Sequence, residues 1–306
     1  HPGRGGRGRS RTWRGRPRPL AAAPRPSISE EAMPHVLVQM GQGIMSITLN
    51  RPEKLNALTP PMSYRLRNIL TAAARDPHLR RLTIAAPALA FCPAGAVPHF
   101  SLNAPVDRVA LRSGSYPAWA EADYMADRLR ERAETALLLH CMPKPTVAIL
   151  RGAVMGAGLS LAAACDLRIA DPTATFGTAF AKVGLSGDYG ASYFLPRLVG
   201  PALAREMYFL NRRLDAEQAE RHGLINRIVP GDELETAGAQ IAAELAAGPP
   251  VAWRYIKRNL VAAETERLTD LLDEESRNMI RTMRTSDAQG AIDGFLNRKP
   301  VAFAGL

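Results

Sequence analysis

A strand-like run, Thr146–Leu150, leads into Arg151-Gly152-Ala-Val-Met-Gly156-Ala157-Gly158 and then a helical stretch of small residues at Leu159–Ala164. Closely spaced glycines let another chain or a ligand approach the backbone. The helix start adds N–H groups without partners and the positive end of a dipole. Together these suit an oxyanion, such as a carbonyl oxygen that gains charge during a reaction. A dinucleotide-binding turn is the rival chemistry, but Leu161 stands where its third glycine is needed. A tight turn with no chemistry stays open at this point. His140 and His222 have no metal-ligand partner four residues on and read as surface or internally satisfied histidines. Nucleophile-elbow, phosphate-loop, zinc-protease and calcium-loop motifs are absent from the sequence.

Such a turn needs a scaffold, and the chain is long enough to supply one. Its 306 residues are 46% hydrophobic and 22% charged, which suits one or two globular domains. No apolar run approaches the roughly 18 residues of a membrane span. Three cysteines, Cys92, Cys141 and Cys165, are too few for a disulfide scaffold and lack zinc-ligand spacing. A reducing, cytoplasmic compartment follows as the expectation. Of the net charge of +10, residues 1–32 carry +6, from eight arginines against Glu30 and Glu31. This Arg/Gly/Pro-rich tail has almost no large apolar side chain and is expected to be disordered. A nucleic-acid arm and an organelle transit peptide are two readings of it. The favoured one is an expression or upstream-translation extension before a start at Met33, so no nucleic-acid partner is expected.

From Val36 onward strand and helix signals alternate. His35–Gln39 and Ile44–Leu49 read as a hairpin around Gly41-Gln42-Gly43. The spacing predicts helices at Pro60–Arg75 and Trp119–Cys141 and strands at Leu82–Ala86, Leu167–Ala170, Ala174–Phe176 and Leu224–Val229. Residues 87–118 read as a long loop. Asp215 and Gln218 form a capping box. Beyond residue 230 only helices follow, near Glu233–Ala247, Pro250–Ala263, Leu268–Met283 and Asp287–Leu296. The fold class is α/β: a tail over 1–32, a core over 33–230 and a C-terminal helical subdomain over 231–306.

Lys144–Asp166, together with Leu49-Asn-Arg-Pro-Glu-Lys-Leu-Asn-Ala-Leu58, closely resembles the enoyl-CoA hydratase/isomerase, or crotonase, family. The likeness continues through Phe176-Gly177, Gly184, Phe194–Gly200, Ala216–Val229 and Phe295–Pro300, about residues 34–300 in all. It implies a crotonase-like spiral of ββα units with a C-terminal helical subdomain. It also implies an acyl-CoA substrate whose coenzyme A is part of the substrate, no permanently bound cofactor, no metal, and a homotrimer or homohexamer. In the family two backbone N–H groups hold the enolate oxygen of the thioester; by position these are Ala157 and Ala94. The segment Phe91–Ala96 departs from the usual Phe-x-Ala-Gly-x-Asp, with Pro93 inserted and Val97 in place of the acid. By the same resemblance Lys54, Leu55 and Ala57 line the coenzyme A channel. Phe295 and Arg298 close over the adenine, often from a neighbouring subunit.

Hydratases of this family flank a water with two glutamates. Here Ser160 and Phe180 occupy those positions, and neither moves a proton at neutral pH. Gly184–Ser192 instead resembles the Gly-x-x-Pro-Asp-x-Gly-Gly stretch of members that shift double bonds. Asp188 stands where their acid stands, and Gly187 replaces the proline. In an apolar pocket its pKa would rise into acid/base range; capping a helix near Tyr189 is the alternative. Tyr189 is a candidate hydrogen-bond donor to the acyl group, with packing as its alternative. Ser160 and Phe180 become pocket lining. Glu121 and Asp123 are weaker candidates for a second acid, and Asp166 reads as a buried structural carboxylate. The expected function is double-bond isomerisation or related enolate chemistry on acyl-CoA, in fatty acid metabolism, under a name such as enoyl-CoA hydratase. A catalytically weak acyl-CoA-binding paralogue is the alternative.

Overall fold

The computed structural model describes residues 35–86, 90–92 and 118–305, with side chains from residue 122 onward in the helix that begins at 118. The 1–32 tail, Ala94 and most of the 87–118 loop lie outside these residues. β1 (Val36–Gly41) and β2 (Ile44–Leu49) form the expected hairpin, closed by Gln42 and Gly43 at φ +49° and +73°. Such a left-handed pair matches the twist of the strands it joins. α1 (Pro60–Arg75) starts at an N-cap Thr59 and buries Met62, Leu66, Leu70 and Ala73. That apolar face recurs at helical spacing. β3 (Arg81–Ala85), α2 (Ala118–Cys141), β4 (Thr146–Leu150), β5 (Ala153–Met155) and α3 (Ala157–Ala163) follow. Then come β6 (Leu167–Ala170), β7 (Thr175–Gly177), α4 (Ala191–Val199), α5 (Pro201–Phe209), β8 (Leu214–Asp215), α6 (Ala216–Arg221) and β9 (Arg227–Ile228).

The larger sheet runs β1-β2-β3-β4-β6-β9, antiparallel at the hairpin and parallel elsewhere. β3 and β4 are buried on both faces, as strands covered on both sides are, with Arg81 and Thr83 the polar exceptions on β3 and Thr146 on β4. A smaller sheet runs β5-β7-β8, parallel between β5 and β7 and antiparallel between β7 and β8. The core gathers Ile47, Leu49, Leu66, Leu82, Ile84, Leu150, Leu161 and Phe176, all buried. Four helices end the chain: α7 (Leu234–Ala247), α8 (Pro250–Ala263), α9 (Leu268–Met283) and α10 (Ser286–Asn297). α7 packs on the sheet, where Leu234 and Ile241 meet Val147, Ile169 and Val229. No described helix is long and apolar enough to cross a membrane.

β8 has no counterpart in the sequence reading, and β5 and β9 also differ from expectation. β5 reads in sequence as part of the glycine turn, yet it is a strand, because β7 on one side and Cys92 on the other pair with its backbone. The strand expected over Leu224–Val229 shortens to β9, because Leu224 and Ile225 donate back to Ala219 O and close the end of α6.

Candidate active site

The glycine turn folds around two backbone demands. Gly156, at φ +51°, is the N-cap of α3 and supplies no capping side chain. Ala157 is therefore the first helical residue, and its N–H has no acceptor within the helix. Phe91 and Cys92 run alongside. Phe91 N–H donates to Arg151 O at 2.9 Å, Cys92 N–H to Ala153 O at 3.1 Å, and Met155 N–H to Cys92 O at 2.9 Å. This ladder presses Cys92 onto the start of α3. A Cβ on Gly158 would lie 2.5 Å from Cys92 O and 2.6 Å from Cys92 Cβ. Ala94, the second expected oxyanion donor, lies outside the described residues.

Asp188 sits in the loop before α4. It does not cap that helix: the N-cap is Gly190, without a side-chain bond, and Ala191 N–H reaches the Asp188 main-chain carbonyl at 3.4 Å. Asp188 Oδ1 is buried and, among the described residues, has no hydrogen-bond partner. Burial pushes the carboxyl pKa up to about 6, against the opposing pull of Arg132 on α2. Beside it Phe180 stacks on Tyr208 of α5, ring centroids 6.4 Å apart and 15° from parallel. Gly187 lies against both rings; a Cβ there would be 3.2 Å from Phe180 Cδ2 and 3.4 Å from Tyr208 Cε1. Burial, reinforced by the Asp188 charge, raises the Tyr208 phenol to about 12.

Ser160 joins the two halves. Its Oγ, fully buried, is 3.1 Å from both Gly156 O and Asp188 O, so one hydroxyl touches the glycine turn and the Asp188 loop. Tyr189 is buried, and its hydroxyl donates to Ser63 Oγ of α1 at 2.9 Å. That single proton is committed within the protein rather than offered to an acyl group.

Lys54 and Leu55 are exposed and Ala57 is half-buried, in a loop where Leu55 and Asn56 are left-handed at φ +51° and +65°. Buried Asn56 fixes this loop. Its Oδ1 accepts from Arg51 N–H at 2.7 Å, and its Nδ2 donates to Ala90 O at 2.8 Å. Asn56 falls within the Leu55–Leu58 loop expected along the coenzyme A channel, and its bracing role has no local signal in the sequence beyond a polar residue between Leu55 and Ala57. Phe295, 85% exposed, and Arg298, exposed at the end of α10, both face outward from the single chain.

Asp123 is exposed, and the Glu121 side chain lies outside the described residues. Asp166 lies at the surface rather than buried. Its Oδ2 accepts from Thr146 N–H, Thr146 Oγ1 and Lys257 Nζ at 2.7, 2.8 and 2.7 Å, a structural brace between β4 and α8. His140 Nε2 is paired with Glu264 at 3.0 Å, and His222 is exposed. No group of three His, Cys, Asp or Glu side chains among the described residues could hold a metal ion.

A family profile described as enoyl-CoA hydratase/isomerase matches residues 39–305. The chain is 32% identical over 273 residues to 1,2-epoxyphenylacetyl-CoA isomerase of Escherichia coli K12, covering 89% of this chain and 99% of that one. Among solved structures, an enoyl-CoA hydratase from Polaromonas sp. JS666 superposes with a TM-score of 0.78 at 27% identity, covering 88% of this chain and 99% of the other. An enoyl-CoA hydratase from Bacillus anthracis gives 0.77 at 26% identity, covering 89% and 100%.

Proposed function

The chain belongs to the enoyl-CoA hydratase/isomerase family, with the crotonase fold of its structural neighbours, and from that premise we propose that it moves a double bond in an acyl-CoA thioester by proton transfer through Asp188. The ionised carboxylate takes a proton from a carbon of the acyl chain. The electron pair delocalises onto the thioester oxygen, which the N–H groups of Ala157 and Ala94 hold as an enolate. Asp188 returns the proton at the other end of the shifted double bond, so no water or redox partner is consumed.

The observation that carries this reading is the half-buried Asp188, whose Oδ1 is fully buried and without a hydrogen-bond partner among the described residues, beside a buried Phe180 that by the family likeness stands where a hydratase has a glutamate. A ring in that place excludes the water that hydration needs. Ser160 and Phe180 line the pocket, and Tyr189 acts through the protein rather than on the acyl group. Lys54, Leu55, Ala57, Phe295 and Arg298 serve the coenzyme A moiety, which arrives with the substrate; no resident cofactor takes part. A homotrimer or homohexamer fits the outward-facing Phe295. Three free thiols suit the reducing cytoplasm. The relative's name adds a phenylacetyl-type thioester to the substrates worth trying.

Replacement of Asp188 by Asn keeps the shape and removes the proton relay. Acyl-CoA affinity is expected to stay within about threefold and turnover of 3-enoyl thioesters to fall roughly 100-fold or more. Undiminished turnover sinks the proposal. A parent protein that binds acyl-CoA and converts neither 2-enoyl nor 3-enoyl thioesters makes it a binding paralogue.

A further inference from the structure

Around Asp188 the backbone turns left-handed three times in four residues: Gly187 at φ +109°, Tyr189 at +53° and Gly190 at +81°. Glycine takes such angles freely. A bulky aromatic residue holds one only where its surroundings over-determine it, and such strain gathers at functional sites. The surroundings of Tyr189 do this. Its ring is buried, and its hydroxyl donates to Ser63 Oγ at 2.9 Å. Ser63, 2% exposed, donates its own hydroxyl hydrogen bond to Thr59 O at 3.1 Å, at the N-terminus of α1. Ser160 Oγ, 3.1 Å from Asp188 O, ties the same turn from α3. The Asp188 carboxylate has no comparable tie among the described residues, so its direction is set by the backbone that carries it.

We infer that Tyr189 and Ser63 are positioning residues for Asp188: their hydrogen bond locks the left-handed turn that aims the carboxylate at the acyl group. Ser63, in Pro60-Pro61-Met62-Ser63, lies outside the motifs that carry the family likeness. The inference rests on Asp188 being the proton-transfer group. Three groups bear electrostatically on that site, Arg132 from α2, Tyr208 from α5 and Tyr189 itself. A shift of the turn changes the distance of the carboxylate from each of them.

The test uses the full chain with Tyr189→Phe, Ser63→Ala, the double variant, Ser63→Thr, and Asp188→Asn as reference. Steady-state isomerisation of a 3-enoyl thioester is followed between about pH 5 and 9. Tyr189→Phe and Ser63→Ala are each expected to lower kcat roughly 10- to 100-fold, the scale of a misplaced catalytic group, with KM within about threefold. Both displace the acid limb of the kcat profile. The double variant is no slower than the worse single one, because the two residues share one bond. Ser63→Thr, which keeps the hydroxyl, restores most of kcat. Folded single variants with the parent's kcat and acid limb, or singles whose losses multiply in the double, overturn the inference while an inactive Asp188→Asn leaves the function standing. An Asp188→Asn variant with full turnover removes both.

Discussion

Burying a carboxylate oxygen without a hydrogen bond costs stability, and Asp188 Oδ1 carries that cost in the Gly184–Ser192 loop. Its pKa rises from 3.8 to about 6, with burial the main cause. The folded protein therefore binds this proton more tightly than the unfolded chain does. For this group stability is greatest below about pH 4, declines as pH rises towards 6, and stays lowered above it. The penalty is on the order of 3 kcal/mol or less at neutral pH. Asp188→Asn is expected to raise Tm by several degrees at about pH 7.5 and to lose that gain near pH 4. Thermal melts at the two pH values check it; a variant no more stable than the parent at pH 7.5 contradicts the burial argument. In the parent, turnover should fall as pH drops through about 6, because the base is then protonated. Asp188 was legible in the sequence because it falls inside a motif. The Tyr189–Ser63 bond was not, because it joins residues 126 positions apart and only folding brings α1 to the acid loop.

At the scale of elements, the turn from β5 into α3 depends on one absent side chain. Gly158 faces Cys92 O and Cys92 Cβ at distances no Cβ tolerates, and that carbonyl is fixed by Met155 N–H. Gly158→Ala must push the Phe91–Cys92 segment away from α3 or break the ladder. The expected cost is roughly 1–3 kcal/mol, the range for overpacking a tight site. Turnover should fall about 10-fold or more if the Ala157 N–H in the first turn of α3 is the proposed oxyanion donor. Urea unfolding and kcat measured together test this; parent-like values in both would show that Cys92 yields without consequence. The glycine spacing and helix start were legible from sequence, and so were the long helices and the hairpin. β5 was not: Ala153-Val-Met155 is too short to carry a periodic signal, and its strand character comes from β7 and Cys92, distant partners in the chain.

For the whole molecule, the C-terminal helices leave apolar surface that a single chain does not cover. Leu268, Leu272, Met279 and Met283 recur along one face of α9, and all are exposed. Ile292, Phe295 and Leu296 of α10 add to the exposed apolar set. A groove of about 550 Å³ between α8 and α9, lined in part by Tyr255, Ile256 and Met279, opens beside the α9 face. Apolar surface of this extent marks an interface, and closed cyclic symmetry is its usual outcome. Light scattering at micromolar concentration is expected to give the mass of three or six chains. Leu272→Arg with Met279→Arg places two charges in the face and should yield a folded monomer. If Phe295 and Arg298 close over coenzyme A from the neighbouring chain, that monomer also binds coenzyme A esters roughly 10-fold or more weakly, although neither substitution touches Lys54, Ala57 or Asp188. Circular dichroism establishes the fold, and titration with a non-reacting thioester reads the affinity. A parent already monomeric removes the interface, whereas a monomeric variant with undiminished affinity keeps the interface and confines the coenzyme A contacts to one chain.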